Sequence, residues 1–230
     1  MPDIKENVRV VRETIAEAAD RSGRRAADIT LVGVTKTAEA GPMREMIGCG
    51  VIDIGENRPQ EIVRKYPEFV QTPLNWHMIG NLQKNKVKYI VDKVCLIHSV
   101  DSLGLAAEIS RLSLKAGKTA DILIEVNIAG EETKGGVAPE SCHELIRSCL
   151  DLANVRVRGL MTMAPHIPDT AKLRLYFKRM YELYVDIRDK CGNNGFIDTL
   201  SMGMTNDYAL AVEEGATMVR VGTAIFGAKA

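Results

Sequence analysis

The sequence predicts an α/β protein built as a single (β/α)8 TIM-type barrel with an extra N-terminal helix. Eight short apolar runs alternate with stretches of helical periodicity along the 230 residues, a pattern typical of parallel strands joined by helices. No G-x-G-x-x-G turn follows the first strand, which disfavours a doubly wound open sheet. No linker, low-complexity segment or charge block divides the chain, so we expect residues 1–230 to form one domain.

The strands are expected where β-branched and apolar residues run together, because strands covered on both faces need few polar groups. The first run, 29–36, reads Ile-Thr-Leu-Val-Gly-Val-Thr-Lys and ends in a single lysine. The eight expected strands are 29–36, 51–55, 75–79, 94–100, 121–127, 155–163, 196–202 and 217–221.

The helices are expected where apolar residues recur at helical spacing. Their ends carry the usual signals: Asp101 is a candidate cap, Pro139 lies in a first turn, and Gly50 and Gly117 follow last turns. The extra helix, 3–22, precedes the first strand, and we expect it to cover the amino-terminal end of the barrel. The other expected helices are 39–49, 59–65, 82–92, 102–116, 139–152, 169–190 and 205–214.

Composition narrows the classes of function. The formal net charge is zero, so nothing indicates nucleic acid or an anionic membrane as a partner. No apolar run approaches the roughly 18 residues of a membrane span, and the N-terminus lacks the apolar core of a signal peptide. The five cysteines show no paired or metal-binding spacing, which favours a reducing compartment and no metal site. We therefore expect a cytoplasmic protein.

Lys36 is the strongest candidate for chemistry. In a barrel, ligands bind at the carboxyl ends of the strands, which is where this lysine is expected. Partial desolvation there would lower its pKa, and a neutral amine can attack an aldehyde to form an imine. The alternative is a lysine that points into solvent.

The ends of the last two strands offer an anion site. Ser201, Gly203 and Thr205 lead out of the seventh strand, and Gly222 and Thr223 follow the eighth. Glycines let backbone amides approach an anion, hydroxyls donate to it, and barrels often bind phosphate after these strands. Since the eighth strand pairs with the first, a phosphate-bearing aldehyde could reach both this site and Lys36. Pyridoxal phosphate is the commonest such cofactor.

Six motifs together resemble the pyridoxal phosphate homeostasis protein family, in the same order and over nearly the whole chain. Each is weak alone, but the ordered set is specific. The family is similar to the N-terminal barrel of alanine racemase, the fold-type III group of pyridoxal phosphate proteins. The motifs are VTKT (34–37), GENRPQE (55–61), HMIGNLQKNK (77–86), GLM (159–161), LSMGM (200–204) and VRVGTAIFG (219–227).

The resemblance implies roles for eight residues. Lys36 matches the lysine that forms the Schiff base, and Arg220 matches the arginine that faces the pyridine nitrogen. The positions that match the surroundings of the cofactor phosphate are Ser201, Gly203, Gly222 and Thr223. Asn57 and His77 match positions elsewhere in the cofactor pocket.

The resemblance also implies cofactor binding and supply without turnover. An arginine is always charged, so it should keep the pyridine nitrogen unprotonated and make the ring a weak electron sink. In alanine racemase a second base resembles a tyrosine from a separate β-domain, and this chain ends at Ala230. Tyr208 is the only tyrosine expected near the site.

Three functions remain open. The first is a vitamin B6 homeostasis protein that supplies the cofactor to apo-enzymes and is expected to be a monomer. The second is an amino-acid racemase of the alanine racemase type. The third is a Schiff-base aldolase that acts on a sugar phosphate without a cofactor.

Overall fold

Eight parallel strands close into a barrel, which confirms the predicted fold class. The structure is a computed structural model that describes residues 2–131, 133–165, 167–191 and 196–227. Each strand pairs with the next along the chain, and the last strand pairs with the first through Val32 and Arg220. The strands are β1 (Thr30–Val34), β2 (Asp53–Glu56), β3 (Asn75–Met78), β4 (Leu96–Val100), β5 (Ala120–Glu125), β6 (Val155–Met161), β7 (Thr199–Ser201) and β8 (Met218–Val221).

The helices surround this barrel on its outer face. No helix in the described part of the chain is both long enough and apolar enough to cross a membrane. They are α1 (Ile4–Arg21), α2 (Ala40–Gly48), α3 (Pro59–Lys65), α4 (Leu103–Lys115), α5 (Cys142–Leu150), α6 (Thr170–Cys191), α7 (Tyr208–Glu213) and α8 (Thr223–Phe226).

The extra helix α1 packs beside α2, α7 and α8 rather than across the end of the barrel, which corrects the expected placement. Asp3 caps it by accepting a hydrogen bond from the Glu6 amide at 3.0 Å. Its buried stripe runs from Ile4 to Ala18, and Asn7 donates to the carbonyl of Ile225 at 2.9 Å. The helix therefore closes the outer layer where the first and last units of the barrel meet.

Two apolar clusters divide the core. The larger one combines residues of the strands and helices, so it lies between the barrel and its outer layer. The smaller one contains only strand residues and lies inside the barrel, because side chains of a strand alternate between its two faces. Its members are Val32, Leu96, Leu123, Met161 and Met218. Polar residues fill the rest of the inner face and shape the site.

Three segments differ from the predicted elements. The expected helix 82–92 contains only a 3-10 segment, Lys84–Tyr89, of which Val87 is the one buried residue. The first strand ends at Val34, so Lys36 lies two residues beyond it. The short helix α8 was not predicted, since four residues are too few to show a periodicity.

Candidate functional site

A pocket of about 180 Å³ opens at the carboxyl ends of the strands. Its walls come from the segments that follow β1, β2, β3, β6, β7 and β8. The lining residues are Val34, Lys36, Asn57, Ile79, Met163, Ala164, Pro165, Met204, Thr205, Asn206, Asp207, Arg220, Gly222 and Thr223. Five of the eight residues predicted from the sequence are among them, so the fold brings most of the predicted site together.

Lys36 lines this pocket and its side chain is exposed. The sequence analysis expected partial desolvation, and the structure does not show it. The reason is that β1 ends before the lysine, so the side chain emerges from a loop above the barrel instead of from the strand itself. Its position on the pocket, not its burial, is what makes it accessible to an aldehyde.

The residue before this lysine is fixed by a buried polar cluster that the sequence analysis missed. The Thr35 hydroxyl donates to Glu56 Oε1 at 2.6 Å, and Lys65 Nζ donates to the Thr35 carbonyl at 2.7 Å. Lys65 and Glu56 also form an ion pair at 2.7 Å, with both side chains almost fully buried. We call these three residues the Thr35 cluster. It connects the ends of β1 and β2 to α3, and so holds the start of the Lys36 loop.

The start of α8 forms the pocket wall next to the end of β1. The Thr205 hydroxyl accepts hydrogen bonds from the amides of Gly222 and Ala224, at 3.3 and 3.4 Å. A Cβ on Gly222 would lie 3.2 Å from the Cβ and carbonyl oxygen of Val34, so a glycine lets this turn approach the end of β1. The two amides, the Thr205 hydroxyl and the exposed Thr223 together form a donor-rich cradle beside the Lys36 loop.

Arg220 forms the floor of the pocket and is 3% exposed. It donates to Ser201 Oγ at 2.6 Å and to the Thr162 carbonyl at 2.9 Å. Burial lowers the pKa of its guanidinium to about 10, although Asp207 and Glu125 act in the opposite direction, so it is charged at neutral pH. These contacts use two of its five N–H donors.

Three predicted residues lie away from the pocket lining. Ser201 is fully buried inside the barrel, where its hydroxyl contacts Arg220 and His98. Gly203 is a structural position: its φ is +93°, and a Cβ there would lie 2.6 Å from the Cβ of Ala211. Its carbonyl accepts a hydrogen bond from the Arg220 amide at 3.0 Å. His77 lies inside the barrel as well, below the pocket.

His77 belongs to a hydrogen-bonded row that crosses the interior of the barrel. Its Nε2 lies 3.0 Å from Asp53 Oδ1, and its Nδ1 lies 3.0 Å from His98 Nε2. His98 Nδ1 lies 3.1 Å from Ser201 Oγ, which Arg220 also contacts. We call these five residues the interior row. Two predicted site residues, His77 and Ser201, thus connect to the pocket through Arg220 rather than by lining it.

Thr205, which the sequence analysis placed in the anion site, lines the pocket. Sequence reasoning missed a second buried side chain near Arg220. Glu125, the last residue of β5, is 4% exposed. Burial, reinforced by Asp101 and opposed by Arg220, raises its pKa to about 7.

Comparison with known proteins gives the family. The family described as alanine racemase, N-terminal domain, matches residues 3–230. A relative in Aquifex aeolicus, named pyridoxal phosphate homeostasis protein, is 46% identical over 217 residues, which cover 94% of each chain. The chain belongs to the pyridoxal phosphate homeostasis protein family. This confirms the family that the ordered motifs indicate.

Solved structures agree with this membership. A family member from Synechococcus elongatus, PipY, was solved with pyridoxal phosphate bound; it is 32% identical, with a TM-score of 0.79 over 93% of this chain and 100% of PipY. A protein of unknown function from Bifidobacterium adolescentis is 36% identical, with a TM-score of 0.91 over 98% of this chain and 97% of its own. The barrel of the family therefore accounts for the described fold from α1 to α8.

Proposed function

We propose that this protein binds pyridoxal 5'-phosphate as a Schiff base on Lys36 and acts in vitamin B6 homeostasis and supply, without a turnover of its own. The observation that carries the proposal is the meeting, in one pocket, of the Lys36 amine, the cradle at α8 and the Arg220 guanidinium. The relative that was solved with this cofactor shares the barrel over its full length, which supports the same ligand here.

The residues present fit the parts of the cofactor. The amides of Gly222 and Ala224, with the hydroxyls of Thr205 and Thr223, suit a phosphate, which needs several donors and no carboxylate. Arg220 lines the pocket and can donate to the pyridine nitrogen, and its positive charge opposes protonation of that nitrogen. Asn57 lines the same pocket and can contact the ring substituents. When bound, the cofactor supplies an aldehyde, which Lys36 can hold covalently.

The same lining argues against turnover. Among the described residues that line the pocket, none is a tyrosine, histidine, cysteine or glutamate that could exchange a proton with a bound substrate, and the one carboxylate, Asp207, accepts a hydrogen bond from the Met204 amide. Tyr208, the tyrosine expected near the site, begins α7 and is buried outside the lining. Racemisation needs such a second group on the opposite face of the ring, so we favour binding over catalysis.

A supply role fits the openness of the pocket. Lys36, Asn57 and Thr223 are all exposed, so a bound cofactor would remain within reach of solvent and of an acceptor. In this proposal the chain acts as one domain and as a cytoplasmic monomer, and it passes the cofactor to apo-enzymes that need it.

The test is the absorbance spectrum of the purified protein before and after borohydride. We expect a visible imine band that Lys36→Ala abolishes and that Lys115→Ala, a change of an exposed lysine on α4 outside the pocket lining, leaves intact. Mass spectrometry after reduction should find a pyridoxyl group on Lys36. No band, or a band that survives Lys36→Ala, would refute the proposal.

The same samples separate the other two functions. An aldolase would trap substrate carbon on Lys36 in place of a pyridoxyl group. A racemase would exchange the α-proton of an L-amino acid in deuterated water, whereas we expect no exchange above the rate given by free cofactor.

A further inference from the structure

The interior row runs from the start of β2 to the pocket at the carboxyl ends of the strands. Asp53, at the start of β2, lines a cavity of about 520 Å³ between α1 and the starts of β1 and β2, and its side chain is 21% exposed. Arg220 lines the pocket at the other end. The residues between them, His77, His98 and Ser201, are all buried, and each contact between neighbours measures 3.1 Å or less. These contacts make the row a continuous hydrogen-bonded connection from Asp53 to Arg220.

We propose that Asp53 and His77 are positioning residues that set, through His98 and Ser201, the hydrogen bonds made by the Arg220 guanidinium under the pocket. As far as the inference concerns the bound cofactor, it rests on the function proposed above. The hydrogen bonds of the row join protein side chains only, so they can be tested in the protein without cofactor.

The direction of each hydrogen bond follows from the atoms that face one another. Arg220 can only donate, so Ser201 Oγ must accept from it. Asp53 accepts when ionised, so His77 must present a proton on Nε2. Only the two middle contacts, from His77 to His98 and from His98 to Ser201, can run either way.

The charge of His77 decides between these two directions. When His77 is charged, its Nδ1 also carries a proton and donates to His98 Nε2, which leaves the His98 proton on Nδ1, donating to Ser201. When His77 is neutral, its Nδ1 accepts, so the His98 proton must move to Nε2 and the Ser201 hydroxyl must donate to His98 Nδ1. In the first state Ser201 Oγ therefore accepts hydrogen bonds from both His98 and Arg220. In the second state it accepts from Arg220 alone.

The groups around the row favour the first state at neutral pH. Burial alone lowers the pKa of His77, but the nearby Asp53 and Cys95, the residue before β4, outweigh burial and raise that pKa to about 9. Burial, with the charges of His77 and Arg220, lowers the pKa of His98 well below its usual range. Asn75 donates to Asp53 at 3.1 Å, which keeps that carboxylate in place. At the other end, Asp207 and Glu125 face Arg220.

The first experiment uses nitrogen-15 NMR of the imidazoles in the protein without cofactor. The chain has four histidines, so single changes to glutamine assign every signal. At pH 7 we expect His98 to be neutral with its proton on Nδ1. Between about pH 8 and 10, as His77 loses its charge, the His98 proton should move to Nε2 while His98 stays neutral. A His98 that keeps its tautomer throughout, or takes up a charge itself, would overturn the proposal.

Asp53→Asn tests the far end of the row. Because this change removes the carboxylate that holds the charge on His77, the midpoint of the His77 titration should fall by about one pH unit or more. His143→Gln, on α5, should leave it unchanged. An unchanged midpoint in Asp53→Asn would contradict the assignment of Asp53.

The second experiment uses the protein loaded with pyridoxal phosphate. The visible band should change over the same pH range in the wild type and in Ser201→Thr, which retains the hydroxyl, but not in Ser201→Ala. A band in Ser201→Ala with the wild-type pH dependence would show that the row does not reach the cofactor. Should no band form in any variant, the proposed function fails while the NMR result still decides the row.

Discussion

At the scale of single residues, position and burial distinguish the roles of predicted site residues that the sequence alone could not distinguish. Lys36 and Thr223 are exposed on the pocket, whereas Ser201 and Arg220 are buried beneath it. All four follow or end a strand in the sequence, so they read alike there. The structure makes three of them pocket-lining residues and places the fourth, Ser201, beneath them, where its hydroxyl accepts a hydrogen bond from Arg220.

Glu125 gives a prediction at this scale. Its pKa in the folded protein is about 7, above its ordinary value of 4.5, so its contribution to stability is present below pH 4.5 and is lost as the pH rises through 7. This difference corresponds to about 3 kcal/mol. Glu125→Gln removes the loss, so relative to the wild type it should gain up to about 3 kcal/mol of unfolding free energy between pH 4.5 and 8.

Urea denaturation of both proteins at pH 4.5, 6 and 8 measures this gain. The comparison of the variant with the wild type at each pH cancels the titration of other groups. An equal difference at all three values would show that the carboxyl is not held in a desolvated position.

At the scale of elements, the barrel could be predicted because its signals are local. Eight apolar runs and the helical periodicity between them fix the order of elements, and barrel closure then places Lys36 beside Gly222. The Thr35 cluster could not be predicted in this way, since no local pattern pairs Lys65, in a helix, with Glu56, at a strand end. Their pairing depends on how α3 packs against the barrel, which no local pattern contains.

The Thr35 cluster carries a prediction about α3. Lys65→Met should leave the Glu56 carboxylate buried without its cation and lower the unfolding free energy by about 3–5 kcal/mol. The double change Glu56→Gln with Lys65→Met leaves no buried charge, so it should be more stable than Lys65→Met alone. The fluorescence of Trp76, the single tryptophan, reports unfolding in urea.

Arg64→Ala is the matched control for that prediction. Arg64 lies next to Lys65 on the same helix and pairs with Glu39 and Glu61 in solvent, so its loss should cost no more than about 1 kcal/mol. If Lys65→Met and the double variant unfold at the same urea concentration, the unpaired Glu56 carboxylate is not what destabilises Lys65→Met.

At the scale of the whole molecule, the barrel has two distinct ends. The pocket with Lys36 lies at one end, and the cavity beside Asp53, which α1 also lines, lies towards the other. The closed sheet presents no free strand edge. A ligand bound in the pocket is therefore expected to change the stability of the folded protein without any change in how the strands pair.

Added pyridoxal phosphate should accordingly raise the melting temperature. At a free concentration of 100 times Kd, a ligand that binds only the folded state adds about 2.7 kcal/mol. For a chain of this length, that is a rise of about 5–10 °C. Differential scanning fluorimetry with wild type, Lys36→Ala and Lys115→Ala measures it. We expect the rise to shrink only in Lys36→Ala; an equal rise in all three would place the stabilising contact elsewhere.

The contact between the Thr205 hydroxyl and the first amides of α8 bears on how such a ligand would leave. A buried N–H that loses its acceptor raises the energy of the empty state and slows departure. Here the protein's own hydroxyl already occupies those two amides, at 3.3 and 3.4 Å, when nothing else does. When the ligand leaves, therefore, neither amide is left without an acceptor, which suits the release of cofactor that the proposed supply role requires.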